Sequence, residues 1–399
     1  MPTLLQIDSC LGVGSTGRIT ESIGSLVKER GWDCYVAHGS RYVGHSELKS
    51  IPVVNKFGEY RHALRSMLFD DHGLASVRET KKFIEKIKSI KPDIIQLHCV
   101  HGYYLNYQLL FEYLNEIDTP VVWTFHDCWA FTGHCAHFDA VGCSRWYEGE
   151  CGNCPILGDY PCSILDRSNR NYVLKRNLFT RKENLHIVAV SQWLASLVKR
   201  SFFKDKDLRV INNGVDLQAF RPFDYNRQTK PYILGVASSW NRNKGLYDFY
   251  KIRQKLPIEI YDVVLVGLSD KQIKNLPAGI KGLTRTESLE ELAKLYSGAL
   301  ALVNPTYSDS FPTVNMEALA CGTPVITYRT GGSPEIIDEN TGYVVDCGDV
   351  DGIISAITML KNNPLSSNAC RDRALKLFNK EERFMDYICL YEDLLKEKI

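Results

Sequence analysis

Short apolar runs alternate with helix-like segments along the whole chain, and this alternation constrains the fold more than any other feature. The runs are rich in β-branched and aromatic residues and lie at 3–8, 34–39, 94–100, 121–126, 186–191, 232–237, 262–267, 299–305 and 324–328. Most are continuously apolar, which is typical of strands that are buried on both faces of a parallel sheet. The sequence therefore predicts an α/β protein with helices on both faces of doubly wound parallel sheets.

The pattern ends and restarts near the middle of the chain, which indicates two domains. A length of 399 residues is sufficient for two cores of ordinary size. We expect an N-terminal domain over 1–205, a C-terminal domain over 206–385, and a final helix over 386–399 that can cross back to the first domain. Ligands of open parallel sheets bind at the carboxyl ends of the strands, so we expect two Rossmann-like domains facing each other across a cleft.

Charge and composition exclude several classes of protein. The formal net charge is +1, whereas a nucleic-acid-binding protein is usually strongly basic, so we expect no nucleic-acid partner. The N-terminus lacks the features of a secretory signal, and no apolar run approaches the roughly 20 residues that span a bilayer. We therefore expect a cytoplasmic protein, in which most of the thirteen cysteines are free, buried or metal-bound.

A glycine-rich loop follows the first apolar run. Gly12, Gly14 and Gly17 match G-x-G-x-x-G between a predicted strand and a predicted helix, where small residues and a helix N-terminus can bind phosphate. A dinucleotide site would also require an acidic residue after the second strand, and His38 to Arg41 supply none. A structural tight turn and a phosphate loop both remain open for this segment.

The second half places charged residues after three of its predicted strands. Asp309 and Glu317 are separated by seven residues, and a helix is predicted to begin near Thr313 between them. The free N–H groups at its start form an anion site, and a carboxylate one turn further along can accept the two hydroxyls of a ribose. Arg242 and Lys244 lie in the loop after an earlier strand, where cations can hold a diphosphate.

These motifs resemble those of family-four glycosyltransferases of the GT-B fold. The chain has D-x7-E followed by ALACGTPVI, and the segment from Asn213 to Phe220 resembles the N-G-V-D-x-x-x-F segment of that family. In two places the chain departs from the family pattern. Asp309 is one methylene shorter than the usual Glu, and Ser238 and Ser239 occupy the region where an Arg is usual.

The resemblance implies retaining transfer of a sugar from a nucleotide diphosphate-sugar, with no cofactor required at the diphosphate. It implies catalytic roles for His126 and Asp309. The donor-binding residues it implies are Gly14, Arg242, Lys244, Phe311, Pro312, Thr313, Val314 and Glu317. A nucleotide-cofactor oxidoreductase that uses NAD(P), and a non-catalytic protein that binds sugar nucleotides, are the alternative functions.

Histidines follow two predicted strands of the first half. His126 and Asp127 end the run at 121–126, and the resemblance matches His126 to a histidine near the transferred sugar. His98 and His101 follow the preceding run, and any of the three histidines could shuttle a proton near neutral pH. Core histidines that are satisfied by hydrogen bonds are the alternative interpretation.

Four cysteines are concentrated in a segment of the first half that we interpret as an insert over about 128–162. Cys135, Cys143, Cys151 and Cys154 have the spacing C-x7-C-x7-C-x2-C, which can complete a tetrahedral site for structural zinc. His134 and His137 are alternative ligands, and buried free thiols are the alternative interpretation.

The insert also resembles a subgroup of these enzymes that builds colanic acid and O-antigen-type surface polysaccharides. That resemblance implies a glycan acceptor that is commonly lipid-linked. Residues 169–184 combine basic and apolar side chains in a helical pattern, which can rest on the anionic inner membrane surface as a peripheral contact. A solvated basic helix face explains the same pattern.

Overall fold

In this computed structural model the chain is described over residues 1–149, 151–224 and 230–397. It divides into two compact units. Unit 1 comprises Met1–Ile211 together with Phe384–Ile399, and unit 2 comprises Asn212–Arg383. Residue 150 of the predicted insert and residues 398–399 of the predicted final helix lie outside the described residues.

Unit 1 is built on a parallel sheet of seven strands. The strands of this unit are β1 (Thr3–Ile7), β2 (Cys10–Leu11), β3 (Asp33–His38), β4 (Tyr42–Val43), β5 (Lys49–Pro52), β6 (Ile94–Leu97), β7 (Val121–Phe125), β8 (Leu185–Ala189) and β9 (Asp207–Val210). The main sheet has the order β5-β3-β1-β6-β7-β8-β9, and β2 pairs with β4 beside it. Every pairing is parallel.

Helices connect these strands. They are α1 (Gly14–Glu29), α2 (Lys56–Phe69), α3 (Val77–Ile90), α4 (Tyr107–Leu114), α5 (Arg145–Glu148), α6 (Ser168–Phe179) and α7 (Gln192–Val198). Polar side chains begin several of them: Asn106 accepts a hydrogen bond from the N–H of Leu109, and Ser191 accepts one from that of Leu194. Two 3-10 helices, Trp129–Phe131 and Asp139–Val141, lie in the predicted insert.

Unit 2 repeats the plan with six parallel strands. They are β10 (Tyr232–Val236), β11 (Asp262–Val266), β12 (Ile280–Leu283), β13 (Ala301–Asn304), β14 (Val325–Tyr328) and β15 (Gly342–Val345), in the order β12-β11-β10-β13-β14-β15. The helices are α8 (Leu246–Lys255), α9 (Asp270–Lys274), α10 (Leu289–Gly298), α11 (Thr313–Ala320), α12 (Ser333–Ile336), α13 (Val350–Asn362), α14 (Ser367–Leu377) and α15 (Lys380–Lys396).

The nine apolar runs of the sequence are confirmed as strands. They form β1, β3, β6, β7, β8, β10, β11, β13 and β14, and four of these, β6, β7, β13 and β14, are buried along their whole length. Burial on both faces requires helices on both sides, and it explains why these strands are apolar at successive positions. Of the remaining strands, β4, β5 and β9 carry exposed residues and gave no comparable sequence signal.

Helix α15 begins in unit 2 and continues into the core of unit 1. Phe384, Ile388 and Leu394 are buried in the same cluster as residues of α1 and the sheet. The buried Tyr391 hydroxyl donates to Gln96 Oε1 at 2.9 Å, and Thr124 Oγ1 donates to the Tyr387 hydroxyl at 3.1 Å. Because these bonds connect the helix to two adjacent strands, they fix its register on the sheet.

The expectation that residues 169–184 form a membrane-surface helix is wrong for the apolar side of α6. Tyr172, Leu178 and Phe179 are buried in unit 1 rather than exposed. Lys175, one of the expected basic surface residues, is also buried, and its ammonium donates to two backbone carbonyls. Among the described residues no helix is both long and apolar enough to cross a membrane.

Candidate functional site

Three loops of unit 2 come together at the carboxyl ends of adjacent strands. They follow β10, β13 and β14, which are neighbours in the sheet. The N–H of Tyr307 donates to Asn243 O at 2.7 Å, and the Thr330 hydroxyl donates to Tyr307 O at 3.0 Å. The N–H of Gly332 donates to Asp309 O at 3.2 Å. The three loops therefore form one hydrogen-bonded surface at this edge of the sheet.

Lys244, which was predicted to bind the donor, and Asp309, which was predicted to be catalytic, meet in these loops. Lys244 Nζ lies 2.7 Å from Asp309 Oδ2, and the other carboxylate oxygen accepts the N–H of Phe311 at 3.2 Å. The side chains of Lys244 and Asp309 are 34% and 22% exposed, so the pair is accessible to a ligand. Gly331 has φ +52°, and a Cβ there would overlap the carbonyl oxygen of Asp309. Glycine is therefore required next to the pair.

Glu317 is held in a fixed position one turn into α11. The helix begins at Thr313, as the sequence predicted, and no side chain caps its start at Pro312. The hydroxyl of the fully buried Tyr296 donates to Glu317 Oε2 at 2.9 Å. Burial and the Glu317 carboxylate raise the pKa of Tyr296 well above its ordinary value, so this phenol remains a hydrogen-bond donor.

The other residues predicted for donor binding differ in exposure. Phe311 and Pro312 are buried and shape the loop before α11, whereas Thr313 and Val314 are half-buried at its first turn. Their N–H groups belong to the turn that lacks intrahelical acceptors, which attracts anions. Arg242 is exposed in the same loop as Lys244, and no ion pair involves it in the described chain.

In unit 1, His126 forms a hydrogen-bonded pair with His98. Nδ1 of His98 lies 3.1 Å from Nε2 of His126, and Nε2 of His98 lies 3.3 Å from Gln6 Oε1. The rings lie at the ends of β7 and β6, as the sequence predicted. Burial lowers the pKa of His126 to about 4 and that of His98 well below its usual value. Both imidazoles are therefore neutral at pH 7, and His126 can act through hydrogen bonds.

Asp127 begins a second polar chain. Its carboxylate lies 3.0 Å from His101 Nε2, and His101 Nδ1 lies 3.1 Å from the Tyr160 hydroxyl, which is 3.4 Å from His72 Nε2. Burial opposes ionisation of Asp127, but His101 and the N–H of Trp129 outweigh it and hold its pKa well below the usual range. The sequence placed His101 and Asp127 near the site but gave no signal for the distant His72 and Tyr160.

The glycine-rich loop of unit 1 is a tight turn next to a buried carboxyl group. Gly12 and Gly14 have φ values of +65° and +70°, and the N–H of Gly12 donates to Gly17 O at 3.2 Å. Beside the loop, Asp8 is fully buried and accepts hydrogen bonds from Thr20 and Ser9. Burial raises the pKa of Asp8 to about 6, against the lowering effect of those bonds. A carboxylate at neutral pH here opposes phosphate binding, although the space beside Gly14 is open.

The four cysteines predicted to bind zinc line one pocket in unit 1. Cys135 and Cys151 are buried, Cys143 and Cys154 are half-buried, and all four are free thiols. The alternative ligand His134 lines the same pocket. The sequence therefore identified a set of side chains that the fold brings to one place.

Comparison with known proteins identifies the fold class. Sucrose-phosphate synthase from Thermosynechococcus elongatus has a TM-score of 0.75 at 18% identity, with each chain covered completely. The glycosyltransferase WaaG has a TM-score of 0.67 at 14% identity over 96% of this chain and 98% of its own. Anabaena HepE, solved in complex with UDP-glucose, has a TM-score of 0.66 at 14% identity over 98% and 99%. The two parallel-sheet units therefore define a GT-B glycosyltransferase fold.

Sequence comparison identifies the family. The model for "Glycosyltransferase Family 4" matches residues 17–219, and that for "Glycosyl transferases group 1" matches 218–377. The chain belongs to glycosyltransferase family 4, and the oxidoreductase alternative is set aside.

Two curated relatives cover most of the chain. The Corynebacterium jeikeium D-inositol 3-phosphate glycosyltransferase is 46% identical over 68% of this chain and 74% of its own. The Escherichia coli K12 protein named "Putative colanic acid biosynthesis glycosyl transferase WcaC" is 27% identical over 76% of this chain and 77% of its own. The Salmonella typhimurium O-antigen chain mannosyltransferase RfbU is 27% identical over 46% of this chain and 53% of its own.

Proposed function

We propose that this chain is a retaining hexosyltransferase that moves a sugar from a nucleotide diphosphate-sugar to a glycan acceptor in surface polysaccharide synthesis. The observation that carries the proposal is the accessible pair of Lys244 and Asp309 beside the uncapped start of α11. A fixed cation and a helix N-terminus on one edge suit the dianionic diphosphate of such a donor.

The reaction needs stabilisation of the leaving group. The bond between the anomeric carbon and the diphosphate oxygen breaks, the acceptor hydroxyl oxygen bonds to that carbon on the same face, and its proton is released. Lys244, Arg242 and the N–H groups of Thr313 and Val314 stabilise the departing diphosphate, so no cofactor is required there. Electrostatic stabilisation of this kind is strongest in a site from which water is excluded.

Two carboxylates orient the donor. Glu317 accepts hydrogen bonds from the ribose hydroxyls. The hydrogen bond from Tyr296 keeps the Glu317 carboxylate in place before the donor binds. Asp309 pairs with Lys244 in this structure. We propose that the ammonium of Lys244 turns to the diphosphate when the donor binds. Asp309 then accepts a hydrogen bond from a hydroxyl of the transferred sugar.

His126 acts in unit 1 as a neutral hydrogen-bonding group. Its contact with His98 limits how the imidazole can turn, and burial keeps it uncharged. A neutral imidazole suits a sugar hydroxyl, which is itself uncharged and both donates and accepts hydrogen bonds. We assign the acceptor-side role to unit 1 on this basis.

The relatives that are named for colanic acid and O-antigen synthesis support a glycan acceptor. We propose that this acceptor is lipid-linked. Helix α2 provides a surface for the inner membrane that α6 does not. Phe57, Tyr60 and Leu64 are 75%, 63% and 53% exposed at helical spacing, next to the exposed cations Lys56 and Arg61. Apolar and basic side chains together suit an anionic membrane surface.

A thermal-shift screen across UDP-, GDP- and other nucleotide sugars tests the donor class. We expect at least one of them to raise the Tm of the wild type and of the Lys281→Ala control, because a ligand that binds only the folded state stabilises that state. The Tm of Lys244→Ala should not rise, because this variant lacks the cation proposed to hold the diphosphate. Release of nucleoside diphosphate from that donor separates an enzyme from a non-catalytic binder. If no nucleotide sugar raises the Tm, the donor class is wrong.

Vesicle sedimentation tests the membrane contact separately. The wild type and the Leu375→Ser control in unit 2 should pellet with vesicles that contain anionic lipid, whereas a Phe57→Ser/Leu64→Ser variant should stay in the supernatant. Wild-type protein that ignores anionic vesicles would contradict this part of the proposal alone.

A further inference from the structure

The cysteine-rich insert of unit 1 has little regular structure to stabilise it. Between the end of β7 at Phe125 and the start of α6 at Ser168, the described residues form two 3-10 helices and the four-residue α5. From 151 to 167 they form no helix or strand. A segment with so little helix and strand gains stability from a covalent or metal cross-link.

The thiols in this insert are arranged as a cluster. Cys135, Cys143, Cys151 and Cys154 come from three separate turns of the chain and line one pocket. Cys135 and Cys154 are hydrogen-bonded to each other. Because none of the four is in a disulfide, four sulfur ligands are available in one place.

Backbone N–H groups point at two of these sulfurs. The N–H of Gly133 donates to Cys151 Sγ at 3.3 Å, and that of Ile156 donates to Cys154. A sulfur that is bound to a metal is a better acceptor of such bonds than a neutral thiol, because it carries negative charge. The two N–H groups therefore lie where they would support metal-bound sulfurs.

Two buried basic groups flank the pocket. His134 is held by Asp70, with 2.6 Å between its Nδ1 and the carboxylate, and within the described residues its buried Nε2 has no hydrogen-bond partner. Lys175 is 1% exposed, and its ammonium donates to Thr132 O at 3.0 Å, next to the pocket. A buried ammonium is expensive unless a negative charge lies nearby. A metal bound by four thiolates has that charge.

A second group of candidate ligands gives a useful contrast. In the described part of the chain, Cys99, His101 and Asp127 have ligand atoms within 4.8 Å of one another, whereas the four cysteines of the insert do not have this spacing. Both nitrogens of His101 already have partners in Asp127 and Tyr160, so this group is satisfied without a metal. The unpartnered Nε2 of His134 and the sulfur-directed N–H groups distinguish the cysteine pocket.

We propose that Cys135, Cys143, Cys151 and Cys154 bind one Zn²⁺ as four thiolates, with Lys175 and His134 beside them. The metal replaces the thiol protons and draws the sulfurs to about 2.3 Å from the ion, which contracts the pocket. The site has no open position, so it is structural. It ties the insert together just beyond His126 and Asp127, and it stands independently of the proposed reaction.

Metal analysis of the purified full-length chain tests the site. We expect about one zinc per wild-type chain. Cobalt exchanged into the site should give the thiolate charge-transfer and visible bands of a tetrahedral sulfur site. Wild-type protein that contains no zinc and does not bind added Zn²⁺ would overturn the proposal, whatever the variants do.

Matched variants define the ligands. Cys143→Ser and Cys154→Ser should lose most of the zinc and lower the Tm. Cys162→Ser, an exposed cysteine of the same insert, should keep the zinc and the Tm of the wild type. His134→Asn should keep one zinc per chain and an unchanged cobalt charge-transfer intensity. If Cys162→Ser lost as much zinc as Cys143→Ser, the four-thiolate set would be contradicted. It would also be contradicted if His134→Asn lost zinc while Cys143→Ser kept it.

Discussion

The two units share one plan of parallel strands but differ sharply in their chemistry. All ten histidines precede residue 187 and so lie in unit 1, and only Cys321, Cys347 and Cys370 of the thirteen cysteines lie in unit 2. At the strand ends of unit 1 the polar groups are mostly buried imidazoles, whereas those of unit 2 include an accessible ammonium and two carboxylates.

The strand ends of the two parallel sheets therefore suit two kinds of ligand. A diphosphate carries full charge, so a site for it needs fixed cations and helix ends. A sugar hydroxyl carries none, and a buried neutral imidazole can bond to it without the cost of burying an unpaired charge.

Lys244→Ala should lower kcat/KM for sugar transfer by on the order of 10²–10³-fold, because it removes the cation that we propose stabilises the leaving group. The Tm should change little, since a half-exposed ion pair contributes only about 0–1 kcal/mol. Lys281→Ala is the matched control: its Nζ lies 2.6 Å from Asp262 at the opposite, amino-terminal edge of the sheet. Steady-state kinetics of both variants measure the difference. Equal losses of kcat/KM in the two variants would contradict the role proposed for Lys244.

Acidification should destabilise unit 1 before unit 2. Burial lowers the folded pKa of His62 to about 3 and of His126 to about 4, below the unfolded value of 6.5. The unfolded chain therefore binds more protons, so this stability is complete above pH 6.5 and falls as the pH approaches 4. Asp8, with its pKa raised to about 6, acts in the opposite direction.

For these groups together we expect a net loss on the order of 2 kcal/mol at pH 5. Hydrogen exchange at pH 7.5 and 5, corrected for the intrinsic rate, should show lost protection in the strands of unit 1 and little change in those of unit 2, which has no histidine. Equal loss of protection in both units would show that protonation of the histidines is not the cause.

His126→Asn should reduce kcat about tenfold to a hundredfold while donor affinity stays within about threefold, because one hydrogen bond in the reacting complex is lost. The control is His186→Asn, which changes a histidine bonded to Asp207 at the amino-terminal end of β8. Initial rates over a range of donor concentrations measure both parameters. A rise in donor KM without a change in kcat would contradict the acceptor-side role.

Tyr296→Phe should raise the donor KM about fivefold, since Glu317 loses the hydrogen bond that orients its carboxylate. Tyr232→Phe removes a comparable phenol, whose hydroxyl donates to Leu295 O at 2.6 Å, and should leave KM unchanged. Titration of donor into each protein measures the difference. The same affinity in both variants would mean that Tyr296 acts only in packing.

Much of the fold was readable from the sequence because the main strands are buried on both faces and are therefore apolar throughout. Lys244 and Asp309 were each predicted from the loops they occupy, but their contact joins residues 65 apart and depends on how two loops pack. Tyr296 gave no signal, since a buried tyrosine on a helix looks like any core residue.

The helix α6 shows the limit of periodic patterns. A basic helix is ordinarily solvated, but Lys175 is buried because the carbonyls of Trp129 and Thr132 accept its ammonium, and neither is near it in sequence. The pair of His134 and Asp70 is similarly remote, at 64 residues. Tertiary hydrogen bonds of this kind cannot be inferred from local spacing.

Hydrogen exchange with and without the nucleotide sugar that gives the largest thermal shift tests the donor assignment most directly. Binding at the edge described for unit 2 should slow exchange in 239–246, 305–317 and 328–335, and the effect should vanish in Lys244→Ala. Protection confined to residues 10–20 of unit 1, with those three loops unchanged, would mean that the donor binds at the glycine-rich turn instead.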